Sequence, residues 1–224
     1  MTKTKFRSEI IKKIQAKSIL NHPFYVKWSQ GRLSVEELRV YAKQYYKFVE
    51  HFPRFVSSVH SNCAEPEIRK VIMENLADEE GFKTNVSNHP QLWINFCKAL
   101  GADRNLILET EAVPEVKDMI EGFYEFCKSP DYRTGLAALL AYEYQIPEVS
   151  RIKIEGLKKY YSIDSKEAVE FFTVHEKADI FHREAEMDVL LDKCSNETEQ
   201  QQILKVIEKA ARLYWNMLDG VYVN

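Results

Sequence analysis

The chain has 224 residues, 45% of them hydrophobic and 29% charged, which suits a globular protein able to bury a substantial core. Its formal net charge is −3, and no basic stripe interleaves with aromatics, which argues against nucleic acid as a partner. No apolar run approaches a membrane span, and the four widely spaced cysteines, Cys63, Cys97, Cys127 and Cys194, form no C-x-x-C. A reduced, cytoplasmic protein without membrane contact is the expectation.

Seven glycines and seven prolines give sparse turn punctuation, so long helices are expected over short strands. Phe6, Ile10 and Ile14 recur at helical spacing within the basic stretch Met1 to Lys17, which reads as an amphipathic first helix and not a signal peptide. Ser34-x-x-Glu37 is a capping box, opening an apolar series through Leu38, Tyr41, Tyr45, Phe48, Phe52 and Phe55. Pro53 should kink or divide that run. A helix over Glu67 to Glu80 buries Ile68, Val71, Ile72 and Leu76. Another follows through Leu92, Trp93, Phe96 and Leu100 and stops at Gly101. Pro114 opens a helix carrying Val116, Ile120, Phe123 and Phe126. Ser129-Pro130 reads as the cap and first position of the next, whose stretch Gly135 to Tyr142 is nearly free of polar residues. Pro147 should bend that helix, which continues to about Tyr160. Asp164-x-x-Glu167 and Asn196-x-x-Glu199 open the last two helices, the second ending near Gly220. The sum is one all-α domain over residues 1–224, a helical bundle of about seven major helices.

The segment His175-x-x-x-Asp179-x-x-His182 places two imidazoles and a carboxylate at i, i+4 and i+7, on one stripe of a helix. Such a face suits a transition metal, although an arbitrary triplet is as well explained by a solvated polar surface. Glu143 interrupts an apolar run, where a bare carboxylate is costly unless paired, protonated or metal-bound. Asp78-Glu79-Glu80 offers further carboxylates, and His89 precedes a helix; alone, these read as a solvated face and a capping residue. Together the candidates make an all-nitrogen-and-oxygen donor set that points to iron or manganese over structural zinc, and to two ions rather than one. Tyr25, Tyr41, Tyr45, Tyr46, Tyr142 and Tyr144 are mostly core fillers by pattern, some of them candidate redox partners. Arg151, Lys153 and Lys158 are ordinary surface charges unless one is buried.

At these residues the chain resembles the CADD-like para-aminobenzoate synthases. These lie within the heme-oxygenase-like di-metal oxidase group, to which TenA and pyrroloquinoline-quinone synthase C are related. The resemblance spans nearly the whole sequence. It runs through His22-x-Phe24-Tyr25-Val26-Lys27-Trp28-Ser29-x-Gly31, Tyr41-Ala42-Lys43-x-Tyr45-Tyr46, Asn75-Leu76-x-Asp78-Glu79-Glu80, Tyr142-Glu143-x-Gln145-Ile146-Pro147 and His175-Glu176-x-Ala178-Asp179-x-x-His182. It implies a TenA-like bundle, usually dimeric, with Glu79, His89, Glu143, His175, Asp179 and His182 as ligands to two ions, Fe/Fe or Mn/Fe. It implies dioxygen as co-substrate, an electron donor, and a single-turnover oxidation that converts the protein's own Tyr25 into para-aminobenzoate for folate. Lys153 would donate the amine, and Tyr41 and Tyr142 would be aromatics near the centre that relay electrons. Glu79 and His89 stand further apart than in the family pattern, as if residues were inserted at 83–87, so the helix must end or loop out between them. Two other functions compete on the same scaffold: a metal-free TenA-type thiaminase with a cysteine nucleophile, and a non-catalytic interaction protein.

Overall fold

A computed structural model describes residues 1–82 and 87–222. Residues 83–86, where most of the expected insertion falls, lie outside the described part. Twelve α-helices and one 3-10 turn account for the regular structure, with no strand among the described residues. The all-α expectation holds. The helix count exceeds seven because prolines divide runs that the apolar pattern joins. Pro53 separates α3 (Val35–Val49) from α4 (Phe52–Asn62), and Pro147 separates α9 (Tyr132–Glu143) from α10 (Ile146–Tyr161). In both cases the proline occupies the first turn of the second helix, where its missing N–H costs nothing. Two short helices, α2 (Pro23–Ser29) and α7 (Arg104–Glu109), carry too little periodicity to be seen in the sequence.

The other elements follow their patterns closely. Phe6, Ile10 and Ile14 are the buried residues of α1 (Lys3–Gln15), and the Ser34–Glu37 and Asn196–Glu199 capping boxes open α3 and α12 (Glu197–Val221). The helix α5 (Pro66–Glu79) ends at Gly81, whose φ of 76° favours glycine, and α6 (His89–Ala99) starts after Asn88. The chain therefore does leave the helix between Glu79 and His89. Two caps differ from expectation. Asp131, not Ser129, caps α9, because its carboxylate accepts from the Arg133 amide and also binds the guanidinium, while Ser129 closes the end of α8 (Pro114–Cys127). Ser165, one residue beyond Asp164, caps α11 (Lys166–Lys193) by accepting from the Ala168 amide.

At the centre, α9 has every residue from Gly135 to Glu143 buried, as its composition requires. It packs against α11, α12, α8 and α4, while α11 also packs on α10, α6 and α5. Gly135 permits the crossing of α9 with α4: a Cβ there would sit 2.5 Å from the Val59 side chain. All four cysteines are buried and unpaired. Burial pushes the Cys97 thiol up to about 12 and that of Cys194 to about 11. No described helix is long and apolar enough to cross a membrane.

Candidate metal centre

Four helices deliver charged side chains to the interior. Glu79 ends α5, His89 begins α6, Glu143 ends α9, and α11 supplies His175, Asp179 and His182. All six are buried, and they sort into two triads, Glu79–His89–His175 and Glu143–Asp179–His182. Within each triad one donor atom from each side chain lies within 4.8 Å of those of the other two. The single stripe on α11 thus serves both groups, one turn apart.

The contacts inside the triads are close without being satisfied hydrogen bonds. His89 Nδ1 lies 2.8 Å from Glu79 Oε1 and His182 Nδ1 lies 3.5 Å from Asp179 Oδ1. Both nitrogens nonetheless lack an aligned partner, as do Glu143 Oε2 and Asp179 Oδ2. Buried polar atoms are rarely left so. Several inward atoms sharing this condition are what a cation between them would resolve.

The outer atoms of the same side chains are well held. His175 Nδ1 bonds the Phe171 carbonyl at 2.7 Å, leaving Nε2 3.8 Å from Glu79. His182 Nε2 lies 3.0 Å from Asp78 Oδ2, so Nδ1 faces its triad, and Asn75 Nδ2 donates to Glu143 Oε1 at 2.8 Å. Outer partners of this kind orient ligands and fix imidazole tautomers. Electrostatics agree with a site built for a cation. Burial pushes Glu79 up to about 7 and lowers His89 and His175 to about 3, so the imidazoles are neutral. Burial likewise raises Asp179. His182 is raised although burial opposes it, because the nearby carboxylates of Asp179, Glu143 and Asp78 outweigh that cost.

A second cluster surrounds Lys153. This residue is 2% exposed, whereas Arg151 and Lys158 lie at the surface. Its Nζ donates to Tyr41 Oη at 2.8 Å, and Tyr41 Oη is 3.2 Å from Tyr25 Oη. Aromatic rings enclose the amine, among them Tyr25, Trp28, Tyr45 and Trp93. Burial drives its pKa well below 10.5, toward a neutral amine with a free lone pair. The two clusters communicate through rings: Trp93 packs on Phe171 (centroids 4.7 Å apart), which stacks on His175 (4.0 Å).

The structure therefore brings the six expected ligand residues together, and gathers Tyr25, Tyr41 and Lys153 in a separate cluster. Tyr142 precedes Glu143 and joins its hydroxyl to Tyr45 at 2.5 Å. Sequence reasoning missed Glu186, a buried carboxyl pushed well above the usual range by burial and by the neighbouring Glu143. The signal was present, since Glu186 continues the α11 stripe four residues beyond His182. Together with Asn75 and His182, Glu186 lines a cleft of about 430 Å³ between α5, α9 and α11, which reaches the second triad from the surface.

The family model for iron-containing redox enzymes matches residues 39–215. The chain belongs to that family. Its curated relatives include the 4-aminobenzoate synthase of Nitrosomonas europaea, 36% identical over all of this chain and 94% of that protein. The protein of the same name from Chlamydia muridarum is 36% identical over 92% of this chain and 86% of its own length. More distant is a pyrroloquinoline-quinone synthase of Acinetobacter baumannii, at 20% identity over 99% of this chain and 87% of that one. Among solved structures, a TenA homologue from Pseudomonas syringae superposes with a TM-score of 0.83 at 16% identity, covering 96% of this chain and 91% of that one. A CADD-like protein from Nostoc punctiforme gives 0.74 at 17%, covering 98% and 100%. These structures share the fold, which is heme-oxygenase-like, and the chain is a CADD-like member of this group.

Proposed function

We propose that the protein is an oxygen-dependent di-metal oxidase that makes 4-aminobenzoate from its own Tyr25, with Lys153 as amine donor. The observation that carries this reading is the unscreened Lys153 amine, held on Tyr41 and one phenol away from Tyr25. An amine so placed is expensive to bury, and burial alone accounts for its lowered pKa, with no counter-charge to offset it. The relatives named 4-aminobenzoate synthase support the same product.

Glu79, His89 and His175 would hold one ion, and Glu143, Asp179 and His182 the other. With both bound, the pair would supply activation of dioxygen and take up the electrons removed from the ring. The chain's residues prepare the aromatic. Tyr25 is held edge-on to Phe24 and stacked on Trp28, and its ring is 1% exposed, so water is excluded. The Tyr41 hydroxyl holds a proton between amine and phenol. The product retains the tyrosine ring and one further carbon. The Cα–Cβ bond of Tyr25 would therefore break, with Cβ oxidised by dioxygen to the carboxyl carbon; the Lys153 nitrogen would condense at the oxidised ring carbon, expelling the phenol oxygen as water, and its Cε–N bond would then be cleaved by water to leave Cε as an aldehyde. A thiaminase-type nucleophile has poor support, since the cysteines are buried and three of the thiols are pushed up.

Ring-labelled tyrosine incorporated during expression tests the proposal. Reduced, metal-loaded protein exposed to oxygen should release at most one labelled 4-aminobenzoate per chain, and the Tyr25 peptide should lose its phenolic side chain. Tyr25→Phe should keep metal and give no product. Unlabelled product, or many turnovers with Tyr25 intact, would mean an external substrate.

A further inference from the structure

Glu186 is a buried acid that the chemistry above leaves unused. It is 3% exposed, and its Oε2 has no hydrogen-bond partner. The charged groups that act on it are Glu143 and Asp179, both acids of the second triad. Glu143 Oε2, Asp179 Oδ2 and His182 Nδ1 share its condition. The second triad and Glu186 thus hold four unpartnered buried atoms, against His89 Nδ1 alone in the first triad. Helix geometry explains the approach. Glu186 stands one turn beyond His182 on α11, and helical side chains lean toward the N-terminus, so a glutamate there reaches back over the His182 turn. Packing does not account for it. The next interior residues of α11, Met187 and Leu190, are apolar and fully buried, and an aliphatic chain at 186 would fill the space without desolvating an acid.

We propose that Glu186 is a further ligand of the second ion, reaching it from the side of the cleft that it lines with Asn75 and His182. This rests on the di-metal part of the reading above and is independent of where the product comes from. Charge supports the assignment. Two divalent ions bring four positive charges into the interior, and the buried ligands Glu79, Glu143 and Asp179 contribute three negative ones; Glu186 supplies the fourth. A surplus charge left there without a partner would be costly. Asp78 does not fill that role, because it stands behind His182, on its Nε2, and is partly exposed to solvent. With Glu186 the two sites become unlike. The first presents two imidazoles and one carboxylate, the second one imidazole and three carboxylates, so the second suits an ion that prefers oxygen.

Anaerobic titration of the metal-free full chain with Mn2+ alone tests this, free Mn2+ being read by electron paramagnetic resonance. Wild type should bind two ions. Glu186→Gln should keep one at wild-type affinity and weaken the other by about 10-fold or more, the scale of losing a group that holds a bound metal. Glu186→Asp should recover part of that loss, because a carboxylate returns. Glu67→Gln, at the exposed rim of the same cleft, should leave both sites unchanged. Glu186→Leu carries the same test should the glutamine variant fail to fold. Two sites of wild-type strength in the glutamine or leucine variant would overturn the assignment and leave the di-metal reading intact. Equal weakening of both sites, unrepaired by aspartate, would mean that Glu186 acts through the packing of α11, and would overturn it too. Wild type that holds well under two ions would overturn the di-metal reading and the assignment with it.

Discussion

Replacing Lys153 with methionine should stabilise the protein while abolishing its product. In the folded state the amine is buried with its pKa far below 10.5, whereas in the unfolded chain it titrates at its ordinary value. Between those two values the unfolded state binds one proton more than the native state. Stability therefore rises with pH across that window, by about 1.4 kcal/mol per unit. At pH 8 the unfolded chain lies 2.5 units below 10.5, so the buried amine costs about 3.4 kcal/mol. Methionine fills a similar volume, removes that term, and loses one hydrogen bond to Tyr41, worth about 1 kcal/mol. The variant should then be more stable by about 2 kcal/mol at pH 8 and about 1 kcal/mol at pH 9, or about 4 °C and 2 °C in melting temperature for a domain of this size. Thermal melts of both proteins, matched in metal content, read the difference directly. Parallel pH curves, or a methionine variant less stable at both pH values, would mean that the native amine is charged and unfit to act as a nucleophile.

Three further outcomes are expected. In metal-free protein the Glu79 carboxyl should contribute stability that is lost as pH rises from about 4.5 to about 7, because it stays protonated in the native state through that window and is released in the unfolded chain, while His89 and His175, lowered to about 3, pull the opposite way. Urea midpoints of metal-free wild type and Glu79→Gln at pH 5 and pH 7 isolate the carboxyl: the difference between them should grow in favour of the variant at pH 7, and a difference that is the same at both pH values would contradict it. His182→Ala should weaken metal binding by about 10-fold or more in a competition titration, since it removes a donor and its tie to Asp78. Gly156→Ala should destabilise by about 1–3 kcal/mol, because its Cβ would sit 2.7 Å from Trp28, the ring stacked on Tyr25; denaturant melts measure the cost.

Much of this site was legible because buried charge stands out against an apolar pattern. Glu143 is conspicuous within Ala137 to Ile146, and the α11 stripe declares itself through helical spacing. Lys153 was not distinguishable from Arg151 and Lys158 by residue type. It is buried because α10 turns that face toward Trp28 and Trp93, a tertiary fact. Tyr45 occupies a core position of an amphipathic helix where a phenylalanine would satisfy the pattern equally, so nothing local marks its hydroxyl. The caps at Asp131 and Ser165 were displaced by one or two residues because neighbouring side chains competed for the same role.

The ligand helix α11 is built inside out. His175, Asp179, His182 and Glu186 face the interior, while Phe181 is 75% exposed and Ile180 44%. Hydrophobic burial therefore does little to hold its middle turns in place, and without a cation its inward face is a column of acids and imidazoles with few partners. In the metal-free protein these turns should be the first to exchange their amide hydrogens, well before α9 or α12. Such an opening offers the ions a way in: α11 loosens, the triads meet solvent, and capture of the cations recloses the helix. Loading the centre and finishing the fold would then be one event, and the order in which the chain matures would be written into a single helix.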